Sequence, residues 1–131
     1  MITRLGSGGP WEEIFGYSRV VQAGPFVVTA GCTSTVDGVV TGVGDAYAQT
    51  AQALRIALDA AGKLGVGVSD VVRTRLYLVN AEDCDAVGRA HGAVFGEHRP
   101  ATTMVVVAKL LHPDHLVEVE VEAYKVADQS S

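Results

Sequence analysis

The run LVEVEVEAYKV at residues 116–126 leaves this chain little choice of local structure. Val117, Val119, Val121 and Ala123 alternate with Glu118, Glu120, Glu122 and Tyr124. A period of two puts each set on its own side of a β-strand, whereas a helix would scatter both sets around its circumference. The strand therefore needs an apolar layer against one side and water or counter-charge against the other. Just upstream, RPATTMVVVAKLL at 99–111 holds a nearly continuous apolar run, Thr102–Ala108. That is the pattern of a strand covered on both faces.

The remaining chain supplies partners for these strands. Tyr17–Ala23 and Phe26–Thr29 read as two strands joined by a turn at Gly24-Pro25, and Asp37-Gly38 marks another turn before Val39–Thr41. The period then changes. Tyr47, Ala51, Leu54, Leu58 and Ala61 form one stripe of a helix over Asp45–Ala61, with Asp45 to cap its start and Gly62 its end. Val71–Val79 returns to strand, with Arg73, Arg75 and Tyr77 on one side and Val72, Thr74, Leu76 and Leu78 on the other. A second helix starts around Glu82–Asp83 and runs to Phe95 on a Val87, Ala90, Val94 stripe, stopped by Gly96 and Pro100. Met1–Pro10 and Asp128–Ser131 read as tails. With 131 residues, 48% hydrophobic and 19% charged, the expectation is one α+β domain over residues 1–131, a mixed sheet with two helices on one face.

Several function classes are excluded by composition. A net charge of −5 with no Lys/Arg cluster argues against a nucleic-acid partner. No window of 18 uncharged apolar residues occurs, so no membrane partner is expected, and the N-terminus lacks the apolar core of a secretory signal. Cys32 and Cys84, without paired spacing, suit a reduced, cytoplasmic protein. No cofactor is expected. Gly42-x-Gly44 continues to Tyr47 where a dinucleotide fingerprint needs glycine, and Gly62-Lys63 lacks the Ser or Thr of a phosphate loop. His112-Pro113-Asp114-His115 offers two ligands where zinc takes three or four, and nothing in the sequence brings Cys84 or His91 near it. His98 sits at a helix exit. No metal site is expected.

The row of glutamates is the sharpest chemical feature. Carboxylates two apart on a strand lie about 6.6–6.8 Å from each other, so Glu118, Glu120 and Glu122 repel unless a proton or a cation intervenes. Arg73, Arg75 and Lys109 are the cations in reach. Either the row is a solvated, ion-paired face, or one carboxylate works in a cleft on water or a substrate amine. Cys32, after Ala30-Gly31, has no sequence-adjacent base and reads as a core or cleft-lining thiol.

In this order, YSRVVQAG at 17–24, FVVTAGC at 26–32, the QT-x-Q-x-L helix at 49–54, SDVVRTRLYL at 69–78, VFGEHRPATTMVVV at 94–107 and VEVEVEA at 117–123 resemble the RidA/YjgF family. These are reactive enamine/imine deaminases, formerly called endoribonuclease L-PSP. The resemblance spans residues 14–126. It implies a chorismate-mutase-like fold, a homotrimer with small-molecule clefts between subunits, and hydrolytic deamination. By resemblance, Tyr17 and Gly31 match the ligand-binding tyrosine and glycine and Glu120 matches the catalytic glutamate. Ala30 replaces a serine, Gly88 an asparagine, and Thr102 the arginine that grips a substrate carboxylate. Cys32 and Arg75 complete the expected set, Arg75 as a substitute cation. A substrate without the usual carboxylate follows, alongside two other readings: a non-catalytic metabolite-binding module, and an RNA-directed activity opposed by the acidic charge.

Overall fold

A computed structural model describes residues 1–126. The strands are β1 (Ile2–Leu5), β2 (Val20–Ala23), β3 (Phe26–Thr29), β4 (Thr35–Val36), β5 (Val39–Val40), β6 (Val71–Leu78), β7 (Ala101–Val106) and β8 (Val117–Tyr124). The helices are α1 (Pro10–Phe15), α2 (Ala46–Gly62) and α3 (Cys84–Phe95), with short 3₁₀ turns at Val68–Asp70 and Ala81–Asp83. Six strands form one sheet in the order β1-β2-β3-β8-β6-β7, and β4-β5 form a small hairpin. Among the described residues only β6 and β7 pair in parallel, so the sheet is mixed as expected.

The alternating strand β8 lies inside the sheet. Val117, Val119, Val121 and Ala123 are buried against α2, and the glutamates face the other way. Leu76, Leu78, Val20, Val27, Val87 and Phe95 complete the core between sheet and helices. Asp45 caps α2 by accepting from the Ala48 amide at 3.0 Å. Gln49, fully buried, joins two segments: its Nε2 donates to Asp114 O at 2.9 Å and its Oε1 accepts from the Leu116 amide at 2.8 Å.

Several expectations need correction. Met1–Pro10 is no tail, because Ile2–Leu5 pairs antiparallel with β2 and Pro10 opens α1. The glycine-rich linker between them is pinned by Glu12, which accepts from the Ser7 amide at 3.1 Å and the Ser7 hydroxyl at 2.6 Å. The expected tail Asp128–Ser131 lies outside the described residues. The strand expected over Tyr17–Ala23 is β2 and begins at Val20. The buried face of α2 keeps Leu54 and Ala61 of the expected stripe and is otherwise rotated from it. Thr50, Ala53, Ala57 and Ala60 meet the sheet while Tyr47 is exposed, since small side chains bring the helix closest to the strands. The helix also runs through Gly62, and the left-handed turn after it falls at Gly65 (φ 86°).

In β6 a register shift between Val71 and Arg73 leaves Val72 outside the pairing and 48% exposed, instead of sharing a side with Thr74. The largest correction concerns Thr102–Ala108. Its strand is the sheet edge, paired on one side with β6, and Val105 and Val106 are uncovered in the single chain.

Candidate functional site

The sheet face turned away from α2 and α3 carries charge on neighbouring strands. Antiparallel register sets Arg73 opposite Glu122, Arg75 opposite Glu120 and Tyr77 opposite Glu118. Arg75 Nη1 donates to Glu122 Oε1 at 2.5 Å, with Arg73 Nε 4.0 Å from the same carboxylate. The Tyr77 hydroxyl donates to Glu120, and that bond, with burial, raises the phenol above its usual range. The glutamate row is thus resolved pairwise: Glu122 takes two arginines and Glu120 a phenol.

Glu118 differs. It packs against Gly31 so tightly that a side chain there would overlap its carboxylate, the movable end of Glu118, and would have to displace it. Burial, then repulsion from Glu120, pushes its carboxyl above the ordinary range, and Arg19 partly opposes the shift. Arg19 crosses the same place. Its Nη1 donates to Gly31 O at 2.6 Å and approaches Cys32 Sγ at 3.6 Å, and its guanidinium lies 5.8 Å from the Tyr17 ring centre. Its Nε stands 4.0 Å from Glu12. Cys32 is buried behind this group, and burial raises its thiol in spite of Arg19, so the sulfur stays protonated.

Glu118 and Arg19 form the polar side of a cleft of about 510 Å³ floored by Ala30 and Gly31. Trp11, Phe15, Tyr17 and Leu111 form its apolar side. A larger cleft of about 840 Å³ lies beyond Cys32, between the glycine-rich linker and α2.

The expected site residues are therefore divided. Tyr17, Ala30 and Gly31 meet in one cleft, with Cys32 just behind it. Glu120 and Arg75 lie on the same sheet face, engaged by Tyr77 and Glu122. Gly88 and Thr102 are on the helix-covered side of the β7 edge. Gly88 borders Met104, and Thr102 pairs in register with buried Thr74. The Thr102 hydroxyl donates to Pro100 O at 3.0 Å and lies 2.8 Å from Thr74 Oγ1, itself 2.8 Å from His91 Nε2. Each hydroxyl has one proton, so a single direction satisfies the chain: His91 Nε2–H to Thr74, Thr74 to Thr102, Thr102 to Pro100 O. Burial lowers the His91 pKa and keeps the ring neutral, which suits that tautomer.

The turn at 112–115 uses its imidazoles locally. His115 Nε2 bonds Thr35 at 2.7 Å, and His112 Nδ1 accepts from the Asp114 amide at 3.0 Å. Among the described residues no helix is long and apolar enough to cross a membrane.

Residues 11–125 match the family model described as Endoribonuclease L-PSP. The chain belongs to this family. A Streptomyces coelicolor protein described as uncharacterized is 45% identical over 129 residues, 98% of this chain and 96% of that one. A crystal structure from Mycobacterium tuberculosis, described as a member of the YjgF/YER057c/UK114 family, is 43% identical with a TM-score of 0.85, covering 95% of this chain and 99% of the other. The E. coli TdcF structure with bound serine shares the fold at a TM-score of 0.78 and 23% identity, covering 94% of each chain.

Within this Endoribonuclease L-PSP family member, sequence reasoning missed Arg19, Trp11, Phe15 and Leu111 as cleft residues, and it weighted Glu120 over Glu118. Arg19 had one available signal: it stands two residues after Tyr17, at the spacing that shares a side in extended chain. Leu111 had none, because its place depends on how the 107–116 loop returns to β8.

Proposed function

We propose that this chain hydrolyses a small reactive imine or enamine, with Glu118 moving the protons and Glu120 its charged neighbour on the strand. The observation carrying this reading is the Glu118 carboxyl, held toward its protonated form by burial at the floor of a cleft of about 510 Å³. Protonated Glu118 gives its proton to the imine nitrogen, and the resulting carboxylate takes a proton from the water whose oxygen adds to the imine carbon. Glu118, protonated again by that water, gives its proton to the amine nitrogen as the C–N bond of the adduct breaks and takes one back from the hydroxyl, so ammonia leaves and a carbonyl compound remains. An enamine joins the sequence after protonation at carbon. No electrons are exchanged with any other molecule, so no redox partner is called for.

Ammonia release from imines generated in situ tests the reading. Glu118→Gln should lower the rate by about 10²–10⁴-fold, the usual worth of a general acid–base group, and Glu120→Ala tests the residue that the resemblance favours. Rates equal to wild type in both variants would remove the catalytic claim.

A second reading, a non-catalytic metabolite-binding module of the same fold, is favoured by Thr102. It stands where the resemblance expects an arginine, and its proton is donated to Pro100 O. Ligand-induced thermal stabilisation without turnover would select it. An RNA-directed activity fits worse, because Arg73 and Arg75 are turned to Glu122 and the net charge is −5. Assembly into homotrimers belongs to the same proposal. The uncovered apolar edge at Val105 and Val106 supports it, and light scattering at three times 13.7 kDa is the expected result.

A further inference from the structure

The groups that would have to grip a substrate carboxylate are already occupied. Thr102 donates to Pro100 O, and Arg75 is held 2.5 Å from Glu122. Arg19, the cation lining the cleft, spends Nη1 on Gly31 O and stands 4.0 Å from Glu12. Glu12 remains anionic because the Ser7 hydroxyl and amide bind it, so the Arg19 charge is compensated in place. Beside Arg19 the cleft floor presents Glu118, whose ionised form would repel an acid. A carboxylate entering here would meet no uncommitted cation among the cleft residues.

The opposite wall is apolar in an unusual degree for exposed surface. Trp11 and Phe15 stack with ring centres 5.2 Å apart and planes 15° from parallel, yet remain 54% and 69% exposed. Leu111 projects fully into solvent at the same mouth, and Tyr17 closes the side nearest Arg19. Burying such surface is worth about 25 cal/mol per Å², so these side chains gain most from a ligand with an apolar body. A committed cation, a single proton-carrying group and an aromatic wall together describe a hydrophobic ligand with one polar end.

Building on the deaminase reading, we propose that the cleft takes a neutral imine or enamine bearing an aromatic or branched aliphatic group and no carboxylate. The apolar group lies against Trp11, Phe15, Tyr17 and Leu111, and the C=N end faces Glu118. Water adds to the imine carbon, the C–N bond breaks, and the products are ammonia and an apolar aldehyde or ketone.

Trp11 is the chain's single tryptophan, so intrinsic fluorescence reports occupancy of this cleft directly. The probes are 4-methyl-2-pentanone and 4-methyl-2-oxopentanoate, which share a branched chain and a carbonyl and differ by the carboxylate. The ketone should shift Trp11 emission and bind at least tenfold more tightly than the oxo acid. Phe15→Ala and Leu111→Ala, both at exposed positions, should weaken it about tenfold. Tighter binding of the oxo acid, or no response of Trp11 to either probe, would overturn the proposal. The matching imines, made in situ from the amine and from the amino acid, separate the two claims. If the ketone is preferred but neither imine is hydrolysed faster than in buffer, deamination fails and the ligand class stands. If the imino acid is turned over faster than the neutral imine, deamination stands and the ligand class fails.

Discussion

Replacing Thr74 by valine removes one hydroxyl while keeping the shape of a fully buried side chain. The structure assigns that hydroxyl two bonds, one accepted from His91 Nε2 at 2.8 Å and one donated to Thr102 at 2.8 Å. A net 0.5–1.5 kcal/mol for each bond gives a loss of about 1–3 kcal/mol. Relief comes from one place only: Thr102 Oγ1 already lies 3.4 Å from His91 Nε2 and can close on it. Thr74→Ser is the control, because it keeps the hydroxyl and gives up one buried methyl, a cost of about 0.8 kcal/mol. Urea denaturation of both variants should therefore rank valine as the more destabilised, with an unchanged m-value. The imidazole ¹⁵N shifts of His91 should show the proton on Nε2 in the wild type. A valine variant as stable as the serine variant, or a His91 carrying its proton on Nδ1, would refute the assigned direction of the chain and with it the claim that the Thr102 proton belongs to Pro100 O.

Asp45→Ala should cost about 1 kcal/mol by uncapping α2, read by thermal or chemical denaturation. Gly31→Ala should fold yet displace the Glu118 carboxylate from the cleft floor, seen as a changed Glu118 titration by carbon-detected NMR. Glu118→Gln should stabilise the protein more at pH 8 than at pH 4. The folded carboxyl sits above its unfolded value, so its contribution is present at low pH and is lost as pH rises through the folded pKa, and glutamine does not titrate. Denaturation midpoints of the two proteins at both pH values measure the difference, and a gap that narrows with rising pH would contradict the assigned direction.

How much of this was legible beforehand varies with what each residue answers to. The period of β8 and the cap at Asp45 answer to their immediate neighbours in sequence, and both stand as expected. The apolar run at Thr102–Ala108 also announced a strand correctly, but apolar residues do not say which surface will cover them. Here the strand takes the sheet edge, and its cover is absent from the single chain. Residues 2–5 escaped notice because four residues of an edge strand next to a run of glycines carry too little pattern to exceed a tail. Once paired with β2 they fix the linker, the linker seats Glu12, and Glu12 faces Arg19.

That sequence of contacts bears on the site more than any motif does. The alternation itself gives Glu118, Glu120 and Glu122 no asymmetry, since all three sit at equivalent places in it. The distinction comes from the neighbouring strands and the N-terminal segment. Glu122 lies between two arginines, and Glu120 lies under a tyrosine. Glu118 alone packs against a bare glycine, with an arginine that is already committed elsewhere. A carboxylate that is half-buried and only partly compensated holds its proton more tightly than it would in water. Glu118 is thus the one of the three whose partners were used up by others, a property of pairing across the sheet that no single strand encodes.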